Sequence, residues 1–156
     1  MQRVQKLLGK KYSRRKAEDL IREGRVKVNG KLITLGDQAK DGDKISVDDQ
    51  VVKRERKTYL IFNKPVHCVT ALNDSQHRTI MYYIRNKERI FPIGRLDYNT
   101  TGLLLLTNDG DFANQIMHPR YEIKKTYLVE LGRSLDRRVA KSLQKGVLLD
   151  DGKTAP

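Results

Sequence analysis

Four consecutive leucines, Leu103–Leu106, constrain the fold of this chain more than any other stretch. They lie between Gly102 and an Asn-Asp-Gly turn at residues 108–110. A short apolar run bounded by turn residues is typical of a strand that is buried on both faces. We therefore expect a rigid central strand, preceded by a polar loop that holds Arg95 and Asp97 at the edge of a sheet.

Asp97 has two interpretations from its immediate surroundings. An aspartate in a turn commonly accepts hydrogen bonds from nearby backbone N–H groups, which is a purely structural role. A carboxylate is also ionised near neutral pH and can act as a nucleophile. The loop alone leaves both roles open.

The charge of the chain indicates a polyanionic partner. The net charge is +13 over 156 residues, and residues 1–31 hold 11 lysines and arginines against three acidic residues. Nucleic acid is the first candidate and an anionic membrane surface the second. A membrane role is disfavoured because no apolar run approaches the roughly 18 residues that span a bilayer, and no amphipathic helix carries large apolar residues. We expect a soluble, cytoplasmic protein that contacts no membrane.

Metal and cofactor chemistry are not expected. Cys68 is the single cysteine, which excludes an internal disulfide and a cysteine-based zinc cluster. His67, His77 and His118 show no metal-ligand spacing. The sequence also lacks a Walker-type glycine loop and a dinucleotide-binding fingerprint, so we predict that no cofactor is needed.

The first 48 residues predict two helices on a short hairpin sheet. The apolar positions at helical spacing are Val4, Leu7 and Leu8 in the first helix, and Ala17, Leu20 and Ile21 in the second. Ser13 is a plausible N-cap of the second helix, and Gly24 stands where a glycine stop belongs. Alternation at residues 26–28 followed by Asn29-Gly30 is a strong hairpin pattern.

Basic residues in this region are the candidate phosphate contacts. Arg14, Arg15 and Lys16 fall in the first turn of the second helix, where they oppose the helix dipole. An external anion explains that placement, although a solvated face is the alternative. The full set of candidates in this region is Arg3, Lys6, Arg14, Arg15, Lys16, Arg25 and Lys27.

The rest of the chain predicts a second domain. Residues 49–58 are charged and pattern-poor and are expected to link residues 1–48 to residues 59–156. The predicted elements of that second domain are a strand at 59–62, a helix near 80–84, a helix capped by Asp111 and ending near His118, a strand at 125–131 and a helix at 135–145.

Three motifs resemble one family. Gly-Arg-Leu-Asp-x-x-Thr-x-Gly at residues 94–102, running on to Gly110, resembles the active-site motif of RNA pseudouridine synthases. The branch it resembles modifies ribosomal RNA and carries an S4-type RNA-binding domain, and residues 13–30 independently resemble that S4 module. Asn63-Lys64-Pro65 resembles the family's first catalytic-domain motif. A glycine is usual where His67 stands, and a histidine would restrict the backbone if φ is positive there.

The resemblance implies an α+β protein. A small S4 domain, with two helices on a short hairpin sheet, would precede part of a mixed α/β catalytic domain with a mainly antiparallel sheet. The implied reaction is isomerisation of uridine to pseudouridine in ribosomal RNA, without a cofactor.

The resemblance also implies roles for particular residues. It makes Asp97 the catalytic aspartate, and Arg95 would hold the RNA open. Tyr127, in Lys-Thr-Tyr at residues 125–127, would pack on the uracil and is a candidate for removing the C5 proton. Apart from the resemblance, Lys64 is a further candidate for contact with the RNA backbone. From the residues alone, an ion pair with a carboxylate is the alternative for Arg95, and ordinary packing is the usual role of a tyrosine placed like Tyr127.

Several alternatives remain at this point. The inner sequence 98–101 favours large-subunit ribosomal RNA as the target, with small-subunit RNA as the alternative. The family's catalytic domain continues past the position of residue 156, so we expect either a truncated chain or an unusual short form. Such a chain would bind RNA, and whether it turns over is open. A ribosome-assembly factor without activity is the alternative from another class. We expect a monomer whose partner is ribosomal RNA.

Overall fold

The computed structural model describes residues 1–9, 11–53, 56–150 and 152–154. The chain divides into two compact units, Met1–Ile123 and Lys124–Pro156. The first unit contains two main antiparallel sheets, each with its own apolar core. The expected α+β class with mainly antiparallel pairing is confirmed.

Two short helices lie near the start of the chain. Helix α1 spans Val4–Leu8 and helix α2 spans Arg14–Arg22. Ser13 is the N-cap of α2, as predicted, because its side chain accepts a hydrogen bond from the backbone N–H of Lys16 at 3.2 Å. Gly24 follows the helix with a φ of 67°, a left-handed conformation that glycine adopts at little cost, so the predicted stop is also confirmed.

Six short strands accompany these helices. They are β1 (Gln2–Arg3), β2 (Val26–Val28), β3 (Lys31–Leu32), β4 (Gln38–Ala39), β5 (Ile45–Val47) and β6 (Gln50–Val51). Strands β3-β2-β5-β6 form the N-terminal sheet in that order, and β1 pairs with β4. The predicted hairpin around Asn29-Gly30 is confirmed by the antiparallel pairing of β2 with β3.

Strand β6 lies inside the segment that was expected to be a linker. Asp48 and Asp49 have φ values of 48° and 63°, and a pair of left-handed residues makes a tight hairpin turn. The turn folds Gln50–Val51 back on β5, with Val47 opposite Gln50. Arg54 and Glu55, which also fall in the predicted linker, lie outside the described residues.

One apolar core joins the two helices to the N-terminal sheet. Its buried members are Val4, Leu8, Ala17, Leu20, Ile21, Val26, Ala39, Ile45 and Val47. All six apolar positions that the helical spacing identified, except the half-buried Leu7, belong to it. Burial of an amphipathic face is what stabilises helices as short as these.

The leucine run forms the middle strand of a second, central sheet. Strand β7 spans Tyr59–Lys64, β8 spans Phe91–Ile93 and β9 spans Gly102–Thr107, with the order β7-β9-β8. Pairing of β7 with β9 runs from Tyr59 opposite Thr107 to Lys64 opposite Gly102. The predicted central strand is therefore confirmed.

The prediction that this strand is buried on both faces is wrong at its start. Leu104 and Leu106 are buried, at 2% and 1% exposure, whereas Leu103 is 68% exposed. Successive side chains of a strand point to opposite faces, and only one face here packs on a core. That core contains Cys68, Ile80, Ile84, Ile90, Leu104 and Leu106.

Helix α3 spans Gly110–Met117 and follows β9 directly. Its N-cap is Asp109 and not the predicted Asp111, because the Asp109 carboxylate accepts hydrogen bonds from the N–H groups of Asp111 and Phe112. Near the predicted helix at 80–84, the structure has one 3₁₀ turn, Ile80–Tyr82.

The second unit contains helix α4 (Arg137–Gln144) and a hairpin of β10 (Leu148–Leu149) with β11 (Gly152–Lys153). Helix α4 confirms the prediction for 135–145. The predicted strand at 125–131 is wrong, since that segment is irregular. A strand is stabilised by hydrogen bonds to a neighbouring strand, and no strand of the described residues pairs with this segment.

The described residues contain neither a membrane-spanning helix nor a group of side chains suited to a metal ion. No helix there has the length and hydropathy required to cross a bilayer. No group of three or more histidine, cysteine, aspartate or glutamate side chains in the same residues has an arrangement suited to a metal ion.

Candidate active site

The loop that carries Arg95 and Asp97 connects β8 to β9. It begins at Gly94 and ends at Gly102, with φ values of 79° and 131° that suit glycine. A turn within it is closed by the Thr100 N–H, which donates to the Asp97 carbonyl oxygen at 3.1 Å. The side chains of Arg95 and Asp97 are both exposed, so the loop presents a guanidinium cation and a carboxylate to solvent at one end of the central strand.

A buried ammonium group fixes the backbone of this loop. Lys64, the last residue of β7, is fully buried. Its Nζ donates to the carbonyl oxygens of Asp97 and Thr100 at 2.9 Å and of Pro65 at 3.0 Å. An ammonium has three N–H donors, so these three bonds satisfy it. A fourth carbonyl oxygen, that of Tyr98, lies 3.4 Å away.

This arrangement corrects the expected role of Lys64. A buried charge is costly unless it is fully hydrogen-bonded, and here the loop carbonyls supply those bonds. With no exposed surface, the Lys64 ammonium cannot reach an RNA phosphate. Lys64 is instead a positioning residue for the Asp97 loop.

Two further contacts hold the loop from its other side. The Thr70 hydroxyl donates to the Leu96 carbonyl oxygen at 2.6 Å, and the Leu96 N–H lies 3.1 Å from the same hydroxyl oxygen. The His67 N–H donates to the Tyr98 carbonyl oxygen at 2.8 Å. The residues on both sides of Asp97 are therefore tethered, while its own carboxylate is left exposed.

His67 has a left-handed backbone, which is the case in which a histidine is restricted at this position. Its φ is 59°, in a region that costs a non-glycine residue about 1–3 kcal/mol. The imidazole packs against the Tyr98 ring, with centroids 5.6 Å apart. The strained backbone thus accompanies a contact next to Asp97 that glycine could not make.

Arg95 is exposed, and within the described residues it forms no ion pair. The alternative of an arginine paired with a carboxylate of the fold therefore has no support there. A planar, unpaired guanidinium two residues from Asp97 can stack on a base or bind a phosphate.

A second carboxylate, Asp109, lies at the other end of β9 and has a different environment. It is 6% exposed and accepts hydrogen bonds from the Tyr59 hydroxyl at 2.9 Å and the Lys57 ammonium at 2.7 Å. Burial acts to raise the pKa of Asp109, but the bonds from Lys57, Tyr59 and Phe112 outweigh it, so the pKa lies below its ordinary value. Asp109 is structural, and Asp97 is the accessible carboxylate.

The basic first turn of α2 is exposed. The Arg14 guanidinium is 79% exposed and makes one long contact, 3.3 Å, to Glu18. Arg15 and Lys16 are exposed, and Arg15 forms no ion pair with another described residue. An exposed cation with a weak partner, or none, is available to a phosphate group.

Arg25 and Lys27 are occupied by carboxylates. Arg25 makes a two-pronged bond to Asp48, at 2.7 Å and 2.6 Å, and a third bond to Glu23. These bonds raise the pKa of Arg25 and lower the pKa of Asp48. Lys27 binds Asp49 at 2.6 Å. Both candidate phosphate contacts would have to exchange a carboxylate for RNA.

Arg3 and Lys6 lie beside a cavity of about 740 Å³ in the first unit. Lys6 Nζ lies 2.5 Å from the Asp111 carboxylate, so it too has an internal partner. Arg3 is exposed and forms no ion pair among the described residues. Arg14 and Arg89 also line the cavity.

Tyr127 lies in the second unit. It belongs to the irregular segment that was expected to be a strand, and it is 61% exposed. Within the described residues the ring belongs to neither apolar core, so the ordinary packing role has no support there.

Two sequence profiles match the chain. The profile described as RNA pseudouridylate synthase matches residues 58–153, more than half of the chain. The chain belongs to the RNA pseudouridylate synthase family. A profile of the S4 domain matches residues 2–45, in front of the synthase match.

Similar proteins include several RNA pseudouridylate synthases. The ribosomal large subunit pseudouridine synthase B of Bacillus subtilis is 46% identical, over all of this chain and 66% of the relative. The dual-specificity RNA pseudouridine synthase RluF of Escherichia coli is 37% identical, over 86% of this chain and 48% of the relative. The chain thus spans less than two thirds of the length of these relatives.

A solved structure has a similar fold. The chain matches a crystal structure of a pseudouridylate synthase with a TM-score of 0.63 and 31% identity, over 100% of this chain and 70% of that one.

The motif at 94–102 predicted both the synthase family and the position of Asp97 on a polar loop. The role of Lys64 was missed, because its burial depends on the register of β7 with β9.

A group of aromatic and basic side chains beside the loop was also missed. It lies in the segment 77–83, His-Arg-Thr-Ile-Met-Tyr-Tyr, and in Tyr98. The signal was present in the sequence, since basic residues close to aromatic ones are typical of surfaces that bind single-stranded nucleic acid.

Proposed function

We propose that this chain isomerises uridine to pseudouridine in ribosomal RNA and that Asp97 is the nucleophile. The observation that carries the proposal is the exposed Asp97 carboxylate on a loop whose backbone is fixed by buried Lys64. A nucleophile held in place before the substrate arrives loses little further entropy when it reacts. Membership of the synthase family supports the same reaction.

The reaction requires no net oxidation or hydrolysis. The N1–C1′ glycosidic bond breaks, a C1′–C5 bond forms, the proton on C5 leaves, and N1 gains a proton. The Asp97 carboxylate can begin this sequence by attacking either C6 of the base or C1′ of the sugar. Tyr127 is the proposed group that packs on the uracil and takes the C5 proton.

The target uridine has to leave its stack before Asp97 can reach it. Extruding a base costs a few kcal/mol, which contacts to the flipped nucleotide and to the vacated space offset. We assign this role to Arg95. Its exposure and its lack of an ion pair among the described residues support the assignment.

We propose that residues 1–48 position the RNA and that residues 59–156 carry out the chemistry, with 49–58 connecting them. The S4 match at 2–45 supports the first part of this division. The exposed cations of the α2 first turn, Arg14, Arg15 and Lys16, are the proposed phosphate contacts, and Arg3, Lys6, Arg25 and Lys27 are proposed to add to them. Phosphate contacts fix the register of a protein on RNA and carry little sequence information.

The proposed target is large-subunit ribosomal RNA. The Bacillus subtilis relative, 46% identical over the whole chain, is named as a large-subunit synthase, which supports this choice over small-subunit RNA. Since the substrate is part of the ribosome, we propose that the protein acts in the cytoplasm, and that it does so as a monomer.

A tritium-release assay tests the proposal. Transcripts of large- and small-subunit ribosomal RNA carry tritium at C5 of uridine, so each isomerisation releases one tritium to water. The chain is assayed alone and fused to the part of the Bacillus subtilis relative that lies outside the match, with that whole relative as the positive control.

We expect release from the large-subunit transcript by the fused form, with the chain alone showing whether residues 1–156 suffice. Release only from the small-subunit transcript would contradict the proposed target. If both forms bind the transcripts without releasing tritium while the relative is active, a non-catalytic RNA-binding factor replaces the proposed function.

A further inference from the structure

Two groups of rings and cations, adjacent in the chain, lie beside the Asp97 loop. The Tyr98 and His77 rings meet edge to face, with centroids 5.3 Å apart. Arg78, the next residue, places its guanidinium carbon 4.2 Å from the centroid of Tyr82. The Tyr82 and Tyr83 rings are 5.1 Å apart. We call these five side chains the aromatic strip.

The aromatic strip is fixed to the loop by backbone hydrogen bonds. The Val69 N–H donates to the Arg78 carbonyl oxygen at 2.9 Å, and the Ile80 N–H donates to the Val69 carbonyl oxygen at 3.1 Å. One residue further on, Thr70 is bonded to Leu96 of the Asp97 loop. The backbone that carries the strip is therefore held next to the Asp97 loop through Val69 and Thr70.

The tyrosines of the strip are exposed although neighbouring side chains are buried. Ile80 and Ile84 lie in the core of the central sheet, at 0% and 8% exposure. Between them, Tyr82 and Tyr83 are 67% and 42% exposed, and Tyr98 is 39% exposed. Adjacent exposed rings mark a binding surface more often than isolated ones do.

The chemistry of the strip suits unpaired nucleotides. Base faces stack on tyrosine rings with little regard to sequence, while an arginine adds attraction to phosphate and to the rings. In an RNA duplex the base faces are already stacked on one another, so a ring surface gains nothing from them. The net charge of +13 also favours a polyanion over an apolar protein partner.

We propose that the aromatic strip binds the unpaired bases that flank the target uridine, with Tyr98, the residue that follows Asp97, nearest to the nucleophile. The inference rests on the proposed function, in that it takes RNA as the substrate. It adds that the substrate is a loop or bulge with unpaired neighbours and not a uridine within a regular duplex.

Binding measurements on the whole chain test the strip. Fluorescence anisotropy compares a stem-loop RNA, which carries a uridine among unpaired nucleotides, with a duplex of equal length. Tyr82→Leu keeps an apolar side chain and removes the ring, and Tyr82→Phe restores the ring. Tyr59→Leu is the control, because Tyr59 is also exposed, at 54%. It lies at the start of β7, whereas Lys64 at the end of that strand contacts the Asp97 loop.

We expect Tyr82→Leu to weaken stem-loop binding by about fivefold to 150-fold, the range for losing one stacked base. Duplex binding should stay within twofold, and Tyr82→Phe and Tyr59→Leu should keep the preference for the stem-loop. Equal losses on both RNAs, or a loss with Tyr59→Leu as large as with Tyr82→Leu, would overturn the proposal.

The two proposals fail separately. If the stem-loop preference depends on Tyr82 but no form of the protein releases tritium, the strip stands and the proposed reaction falls. If tritium is released and Tyr82→Leu changes neither stem-loop binding nor the yield from loops relative to duplexes, the reaction stands and the strip is wrong.

Discussion

The Nζ atom of Lys64 lies 2.9 Å from the carbonyl oxygen of Asp97. Through this bond, a fully buried charge at the end of one strand holds the backbone of an exposed carboxylate on the neighbouring loop. The two residues are 33 positions apart in sequence, and they meet because the pairing of β7 with β9 brings Lys64 opposite Gly102. The fold thus separates a buried positioning residue from the exposed carboxylate that we propose as the nucleophile.

Removing the ammonium should loosen the loop and destabilise the central sheet. We expect Lys64→Met, which keeps the length of the side chain, to lower the free energy of unfolding by about 3 kcal/mol, because each buried carbonyl left without a donor costs about 1–3 kcal/mol. Urea unfolding measures the change. Lys16→Met, at an exposed position, is the control. An unchanged unfolding midpoint for Lys64→Met would show that the carbonyls do not depend on it.

The left-handed backbone at His67 predicts an unusual order of substitutions. His67→Gly should stay within about 1 kcal/mol of the parent, because relief of strain is opposed by the greater freedom of glycine in the unfolded chain. His67→Val should cost about 2 kcal/mol or more, since a β-branched residue tolerates positive φ poorly. The measurement is urea unfolding of both variants. Equal stability of the two would contradict the φ of 59°.

Asp109 should make stability depend on acid pH. Its pKa is lowered in the folded protein from an ordinary value of 3.8, so its contribution is fully present above that value. The contribution is lost as the pH falls through the lower folded pKa. We expect Asp109→Asn to be less stable than the parent at pH 6, with the difference shrinking as the pH falls toward 2.

Substitution of Lys57, the ion-pair partner of Asp109, provides a second test. Lys57→Met removes a bond that lowers the pKa of Asp109, so the parent and this variant should also converge in stability at acid pH. Urea midpoints between pH 6 and pH 2 give both curves. A constant difference between the parent and Asp109→Asn across that range would show that the carboxylate charge contributes nothing.

The exposed first turn of α2 should set the salt dependence of RNA binding. Reversing charge at Arg14 and Arg15, as Glu, should weaken binding and reduce the slope of log affinity against log salt by about 0.7–0.9 for each lost phosphate contact. The matched control reverses Arg137 and Arg138, which occupy the first turn of α4. A slope that falls equally in both variants would mean that net charge, and not the α2 turn, sets the dependence.

Local patterns were sufficient where neighbouring residues decide the structure. Ser13 and Gly24 bound α2, Asn29-Gly30 makes a hairpin, and the leucine run makes a central strand, because caps, turns and apolar runs act over a few residues. The motif at 94–102 likewise led to the exposed Asp97. These features depend little on distant parts of the chain.

Features that depend on pairing between distant segments were not predictable. Leu103 is exposed because of which face of β9 meets the core, and Lys64 is buried because of its register opposite Gly102. The alternating pattern at 125–131 predicted a strand, but alternation cannot supply the neighbouring strand that such a segment needs. Asp109, and not Asp111, caps α3 because the end of β9 at Thr107 fixes where the helix begins.

The substitution Asp97→Asn tests the central claim most directly. The amide keeps the size of the side chain and removes the anionic nucleophile, so the loop and its bonds to Lys64 should be unchanged. The measurement is single-turnover tritium release from the large-subunit transcript by the fused form, with RNA affinity measured in parallel. We predict that release is abolished while affinity stays within a few-fold of the parent. Turnover retained by Asp97→Asn would contradict the assignment of Asp97 as the nucleophile.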